Sequence, residues 1–132
     1  MGQTDPNLAA TSELGFELPG GGRALFTTRA AGNLSTGTGD EHEQGLQRRA
    51  AICERLGLRW LCSSRQVHGA SVNTIDRISA SDGTALAIDA DGHATALGAV
   101  GTMVLAADCL PVALGCAGAV ASVHAGWRGL AA

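Results

Sequence analysis

Residues 96–123 read Ala-Leu-Gly-Ala-Val-Gly-Thr-Met-Val-Leu-Ala-Ala-Asp-Cys-Leu-Pro-Val-Ala-Leu-Gly-Cys-Ala-Gly-Ala-Val-Ala-Ser-Val, an almost wholly apolar stretch for which two folds compete. One continuous helix of this length would span a bilayer. Its residues are largely Ala and Gly, however, and it is interrupted by Pro111 and by Asp108, which at a bilayer centre costs about 3 kcal/mol. The stretch divides instead at Asp108-Cys109-Leu110-Pro111 and at its glycines into three short pieces, Gly101 to Ala106, Val112 to Leu114 and Val120 to His124. Short apolar pieces bounded by Gly and Pro are buried strands. This reading sets the membrane aside as a partner and makes the protein α/β.

Further strands and one strong helix surround these pieces. Trp60 to Cys62 and Ala70 to Ile75 read as strands flanking Arg65-Gln66-Val67-His68-Gly69, and Ala24 to Thr28 as another. Glu41 to Leu56 predicts a helix with an acidic first turn, Leu46, Ala50, Cys53 and Leu56 on one face, and Gly57 as its stop. Residues 1–22, polar and then Gly-rich, read as a flexible N-terminal tail, so the folded unit is expected over residues 23–132. Gly126 to Ala132 reads as a turn opening a helix that lacks a cap, as though the fold were cut short there. The expected class is α/β (α+β), a mixed β-sheet flanked by helices.

Composition narrows the function. The 132 residues are 45% hydrophobic and 16% charged with a net charge of −3, which excludes a disordered chain and a long coiled coil. All nine cationic side chains are Arg. Without Lys there is no Schiff-base nucleophile and no phosphate-loop lysine, and the acidic balance gives no electrostatic footprint for nucleic acid. Four cysteines with no Cys-x-x-Cys pair, and an N-terminus unlike a secretion signal, point to a reducing, cytoplasmic setting.

Three soft or borderline metal ligands stand in distinctive contexts at the ends of expected strands: His68 in Gln-Val-His-Gly, Cys109 in Ala-Asp-Cys-Leu-Pro, and His124 in Ser-Val-His-Ala-Gly-Trp-Arg-Gly. Two imidazoles and a thiolate suit a catalytic zinc site, since three protein ligands leave a fourth position for water, whose pKa the metal lowers to about 7. The same atoms suit a thiol nucleophile at Cys109 with a histidine base. Taken singly, Cys109 also reads as a small buried hydrophobe and each histidine as an ordinary hydrogen-bonded one. Cys53, Cys62 and Cys116 read as packing residues. Arg128, at the expected helix start, suits an anion or a surface ion pair. Asp89 and Asp91, two positions apart, are candidates to orient a ligand histidine, to act as acid or base, or to form a turn.

Gln66-Val67-His68-Gly69, Asp89-Ala90-Asp91 with Thr95, Ala107-Asp108-Cys109-Leu110-Pro111-Val112 and, above all, His124-Ala125-Gly126-Trp127-Arg128-Gly129 resemble the laccase-domain (YfiH-like) family, also called the multicopper polyphenol oxidase family. The resemblance begins at Phe26-Thr27-Thr28-Arg29. It implies a zinc ion held by His68, Cys109 and His124 as metal and catalytic residues. It further implies phosphorolysis of purine nucleosides (adenosine, inosine, methylthioadenosine) with adenosine deamination, and substrate or phosphate contacts from Arg128, Arg29, Asp91 and Trp127. Copper (Cu2+) with a polyphenol oxidase activity, a thiol hydrolase acting in peptidoglycan precursor editing, and an inactive metal-binding fragment are the alternatives. One His-Cys-His site has too few ligands for several coppers.

The chain departs from the family pattern in places. The loop after Arg29 is short, the expected Asn-Arg pair on the helix reads Arg48-Arg49, and Gly92-His93-Ala94 stands where apolar residues are expected. Cys116 occupies a common Asp position. Family members continue beyond the His-Ala-Gly-Trp-Arg-Gly motif, so the resemblance implies a C-terminally truncated member.

Overall fold

The computed structural model describes residues 13–37, 39–78 and 86–132. The apolar stretch does form strands. β8 (Val100–Thr102), β9 (Leu110–Cys116) and β10 (Ala119–Ala125) replace any continuous helix, and no helix among the described residues is long and apolar enough to cross a membrane. β9 and β10 form an antiparallel hairpin, and β10 pairs on its other side with antiparallel β7 (Gly92–Thr95), itself parallel to β5 (Val72–Ile75). The resulting four-stranded sheet has the order β5-β7-β10-β9. β9 lies at its edge, which is where a strand tolerates Pro111, a residue without an N–H to donate. Val104 to Ala106, expected to continue a strand, lie outside β8.

Two short parallel pairs add to the mixed architecture: β3 (Trp60–Cys62) with β8, and β4 (Ser64–Arg65) with β6 (Leu86–Asp89). β3 shows how strand alternation builds the core. Trp60 and Cys62 pack with Ile75 and Val100, whereas Leu61, between them in sequence, packs with Leu34 and Met103. Burial pushes the Cys62 thiol up to about 11, which fits a packing role. Cys116 differs from expectation, being exposed at the end of β9.

The helix α1 (Asp40–Leu56) matches the sequence reading closely, with Asp40, Glu41 and Glu43 in its first turn where the helix dipole favours carboxylates. Gly57 ends it in a left-handed conformation (φ 68°), its N–H donating to the Cys53 and Glu54 carbonyls. The inward face is corrected, because Ala50 is exposed while Gly45 and Arg49 are buried. Arg49 enters because its guanidinium is satisfied there, donating to the Leu34 carbonyl at 2.8 Å and the Ser63 hydroxyl at 3.1 Å. Burial lowers its pKa.

Part of the expected tail is also corrected. Residues 13–17 form β1 (Glu13–Glu17), antiparallel to β2 (Arg23–Thr27), across a turn closed by the Leu18 N–H donating to the Gly22 carbonyl at 2.7 Å. Residues 1–12 of that expectation lie outside the described residues. The Glu13 carboxylate and the Arg55 guanidinium pair in a two-point ion pair that ties β1 to α1.

Candidate metal centre

Each of the three donor residues arrives on a different piece of the fold. His68 sits in the turn after β4, Cys109 directly precedes β9, and His124 lies near the end of β10. One ligand atom from each lies within 4.8 Å of the other two, and among the described residues this is the one such group of three. Cys109 Sγ is 3.8 Å from His68 Nε2, and the two imidazole rings meet edge-on with centroids 5.0 Å apart. Gly126, the residue between β10 and the short helix α2 (Trp127–Ala131), permits this approach: a Cβ there would lie 3.0 Å from His68 Cδ2 and 3.7 Å from Cys109 Sγ.

Behind the donors sits Asp91, only 1% exposed. Its Oδ1 accepts the Val67 and Gly69 N–H groups at 2.9 and 3.1 Å, and its Oδ2 accepts the His68 N–H at 3.0 Å and lies 2.8 Å from His124 Nδ1. Burial alone would raise its pKa; the hydrogen bonds from Val67, His124, Gly69 and His68 outweigh that and hold the carboxyl below its ordinary range. Asp91 was expected among the substrate contacts. In the structure both of its oxygens are engaged behind the histidines, which matches the other role the sequence offered it, orienting a ligand histidine. Asp89, two residues earlier, turns outward from exposed β6 and pairs with Arg65, so the two aspartates do not act together.

His68 adopts φ 58°, a left-handed conformation uncommon for a residue with a Cβ. It is held there by the three successive N–H groups of residues 67–69 converging on Asp91. A second tie, not foreseen from sequence, is made by Gln66. Its side-chain amide pairs with the backbone of Leu105 in both directions, Nε2 donating to the carbonyl and Oε1 accepting the N–H, each at 2.7 Å. Leu105 lies four residues before Cys109, so this pairing joins the His68 turn to the segment that delivers the thiol.

The other expected contacts are more dispersed. Trp127 is 74% exposed on α2, and the Arg128 guanidinium lies 5.3 Å from the centre of its indole ring. Arg29 is exposed in a 3-10 turn, Arg29–Ala31, that follows β2 and lies outside the elements carrying the three donors.

The donor set suits one transition-metal ion, with a carboxylate already oriented on the second nitrogen of His124 as metal-binding histidines require. A family model described as multi-copper polyphenol oxidoreductase laccase matches residues 21–132. The chain belongs to this laccase family. It is 36% identical over 132 residues to a purine nucleoside phosphorylase of Xylella fastidiosa (strain Temecula1), covering 96% of this chain and 49% of that protein. It is 36% identical over 124 residues to a purine nucleoside phosphorylase of Pseudomonas aeruginosa, covering 83% and 47% of the two chains, and 35% identical over 123 residues to one of Mycobacterium bovis, covering 81% and 46%. The chain spans about half the length of the curated relatives it matches. Within the laccase family, the His-Cys-His group and the α/β fold identify this chain as a metal-binding member of an enzyme family.

Proposed function

We propose that His68, Cys109 and His124 hold a single metal ion and serve the phosphorolysis of purine nucleosides. The observation that carries the proposal is the convergence of the three donors within 4.8 Å over a buried, fully engaged carboxylate. The reaction class is supported by the relatives' names. In phosphorolysis, phosphate forms a bond to the ribose C1′ as the bond from C1′ to the base nitrogen breaks, and the departing base takes up a proton. A zinc ion would supply Lewis acidity with a fourth position open to substrate. Arg128 is suited to hold phosphate, since this chain has no Lys, and the exposed Trp127 offers an indole face to a purine. Arg29, exposed in the turn after β2, is a further candidate cation for an anionic substrate. Adenosine deamination is the companion activity this reading carries.

A second reading, copper-dependent oxidation of a phenol, rests on two specific observations. The matching family is described as a multi-copper oxidoreductase, and two imidazoles with one thiolate are also a mononuclear copper donor set. On the donors alone copper has the stronger affinity, since divalent metal binding rises to Cu2+ and falls again at Zn2+. A single three-donor group supplies one ion rather than a cluster. The readings separate in one experiment, incubation of the zinc- and copper-loaded protein with inosine plus phosphate, and in parallel with a phenol under an oxygen electrode. Phosphate-dependent release of hypoxanthine and ribose 1-phosphate, lost in Cys109→Ala, is the expected result. Oxygen uptake confined to the copper-loaded sample, with no release of base, would overturn the phosphorylase reading in favour of the oxidase.

A further inference from the structure

We infer that Asp91 is a positioning residue that presets both histidine ligands before metal arrives, by fixing the backbone that carries one and the tautomer of the other. The inference rests on His68, Cys109 and His124 being the metal ligands. It concerns how this chain prepares them and is independent of which reaction the centre serves.

The argument starts from the chemistry of a carboxylate, which accepts hydrogen bonds and donates none. His124 Nδ1, 2.8 Å from Asp91 Oδ2 in a buried pair, therefore carries its hydrogen toward Asp91. The ring's other nitrogen, Nε2, is left with its lone pair free for a metal. The same Oδ2 accepts the backbone N–H of His68, while Oδ1 accepts those of Val67 and Gly69. Three consecutive N–H groups pointing at one carboxylate hold the turn in which His68 keeps its left-handed φ of 58°. Backbone bonds reinforce the arrangement: the His124 N–H donates to the Asp91 carbonyl at 2.6 Å, and the Asp91 N–H donates to the Ser71 carbonyl at 3.1 Å. One side chain thus fixes two ligands that lie 56 positions apart, 68 to 124.

Asp91→Asn discriminates between positioning and mere filling of space. The amide has nearly the same shape and keeps one acceptor oxygen, but it places an NH2 donor either against the Val67 and Gly69 N–H groups or against the His68 N–H and His124 Nδ1. In the second case Nδ1 becomes the acceptor, the hydrogen moves to Nε2, and His124 loses its free lone pair.

The test is zinc binding by the purified protein, measured by competition with a chromogenic chelator, with cobalt substitution read through the thiolate-to-cobalt absorption band. Wild type, Asp91→Asn and Asp89→Asn are compared, with circular dichroism as the check on folding. Asp91→Asn is expected to bind zinc about 10- to 100-fold more weakly and to shift the cobalt band, while Asp89→Asn, altering an exposed carboxylate, matches wild type. Affinity and band unchanged in a folded Asp91→Asn protein would overturn the inference. Should that variant not fold, nitrogen-15 NMR of the metal-free wild type decides alone: an Nδ1–H tautomer at His124 upholds the inference and an Nε2–H tautomer overturns it. A wild-type protein that takes up neither zinc nor cobalt would instead overturn the ligand assignment itself, so the two failures are distinct.

Discussion

Asp91 and His93 stand two residues apart, both essentially inaccessible to solvent at 1% and 0% exposure, and their surroundings could hardly differ more. Asp91 has both oxygens occupied by four donors. Neither ring nitrogen of His93 has a partner among the described residues, and the buried hydroxyl of Ser122, its cross-strand neighbour on β10, is unpartnered as well. Burying a polar group is tolerable where hydrogen bonds replace water and unfavourable where they do not. At Asp91 the fold has built those bonds from the segments that carry the proposed metal ligands. At His93, where the family resemblance leads one to expect an apolar residue, no such bond is made to either ring nitrogen among the described residues. The difference separates a polar residue the architecture uses from one it merely accommodates.

The comparison is broken most severely by removing the carboxylate. Asp91→Ala leaves three backbone N–H groups and the His124 ring without their shared acceptor, and urea unfolding is expected to show a loss of at least about 3 kcal/mol. Gln66→Ala, which removes both arms of the bond to Leu105, is expected to destabilise by about 1–2 kcal/mol in the same measurement and to weaken zinc binding less than Asp91→Asn does.

His93 predicts change of the opposite sign. His93→Leu keeps most of the volume and removes two unpartnered nitrogens, so the variant is expected to be more stable at neutral pH by about 1 kcal/mol, read as a higher urea midpoint. The smallest effect concerns acid. Burial holds the His93 pKa below its ordinary value of about 6.5, so the unfolded chain takes up a proton near that pH while the folded one does not. Its contribution is therefore complete above pH 6.5 and falls as pH drops below it. Between pH 7 and pH 6 the wild type is expected to lose more stability than His93→Leu by less than about 1 kcal/mol. Asp91 does not confuse this window, because its carboxyl lies below an ordinary value of 3.8 and its stabilisation is lost only in stronger acid. Equal acid sensitivity in the two proteins would contradict the account of His93.

Legibility in the sequence follows the range of the physics involved. α1 was readable because its acidic first turn, its spacing and its terminal Gly57 are local signals, and the apolar stretch because Gly and Pro mark strand boundaries on their own. Glu13-Leu14-Gly15-Phe16-Glu17 carried a period-two signal as well, Leu14 and Phe16 alternating with smaller or charged residues, yet the Gly-rich run beside it masked the strand. The buried Arg49 was not readable, since its partners Leu34 and Ser63 come from outside the helix. At the centre, residue type and motif context pointed to His68, Cys109 and His124. Asp91 was among the candidates to orient a ligand histidine, but its hold on the 67–69 backbone and the tie made by Gln66 depend on which groups surround them after folding, and no spacing in the chain encodes that.

The central claim is that one His-Cys-His group binds one metal ion, and the most direct measurement is the metal content of the purified protein by elemental mass spectrometry, beside Cys109→Ala. One equivalent of zinc or copper in the wild type, largely absent from a folded Cys109→Ala protein, is the result predicted. Equal metal content in the two proteins, or none in the wild type after reloading with either ion, would contradict it.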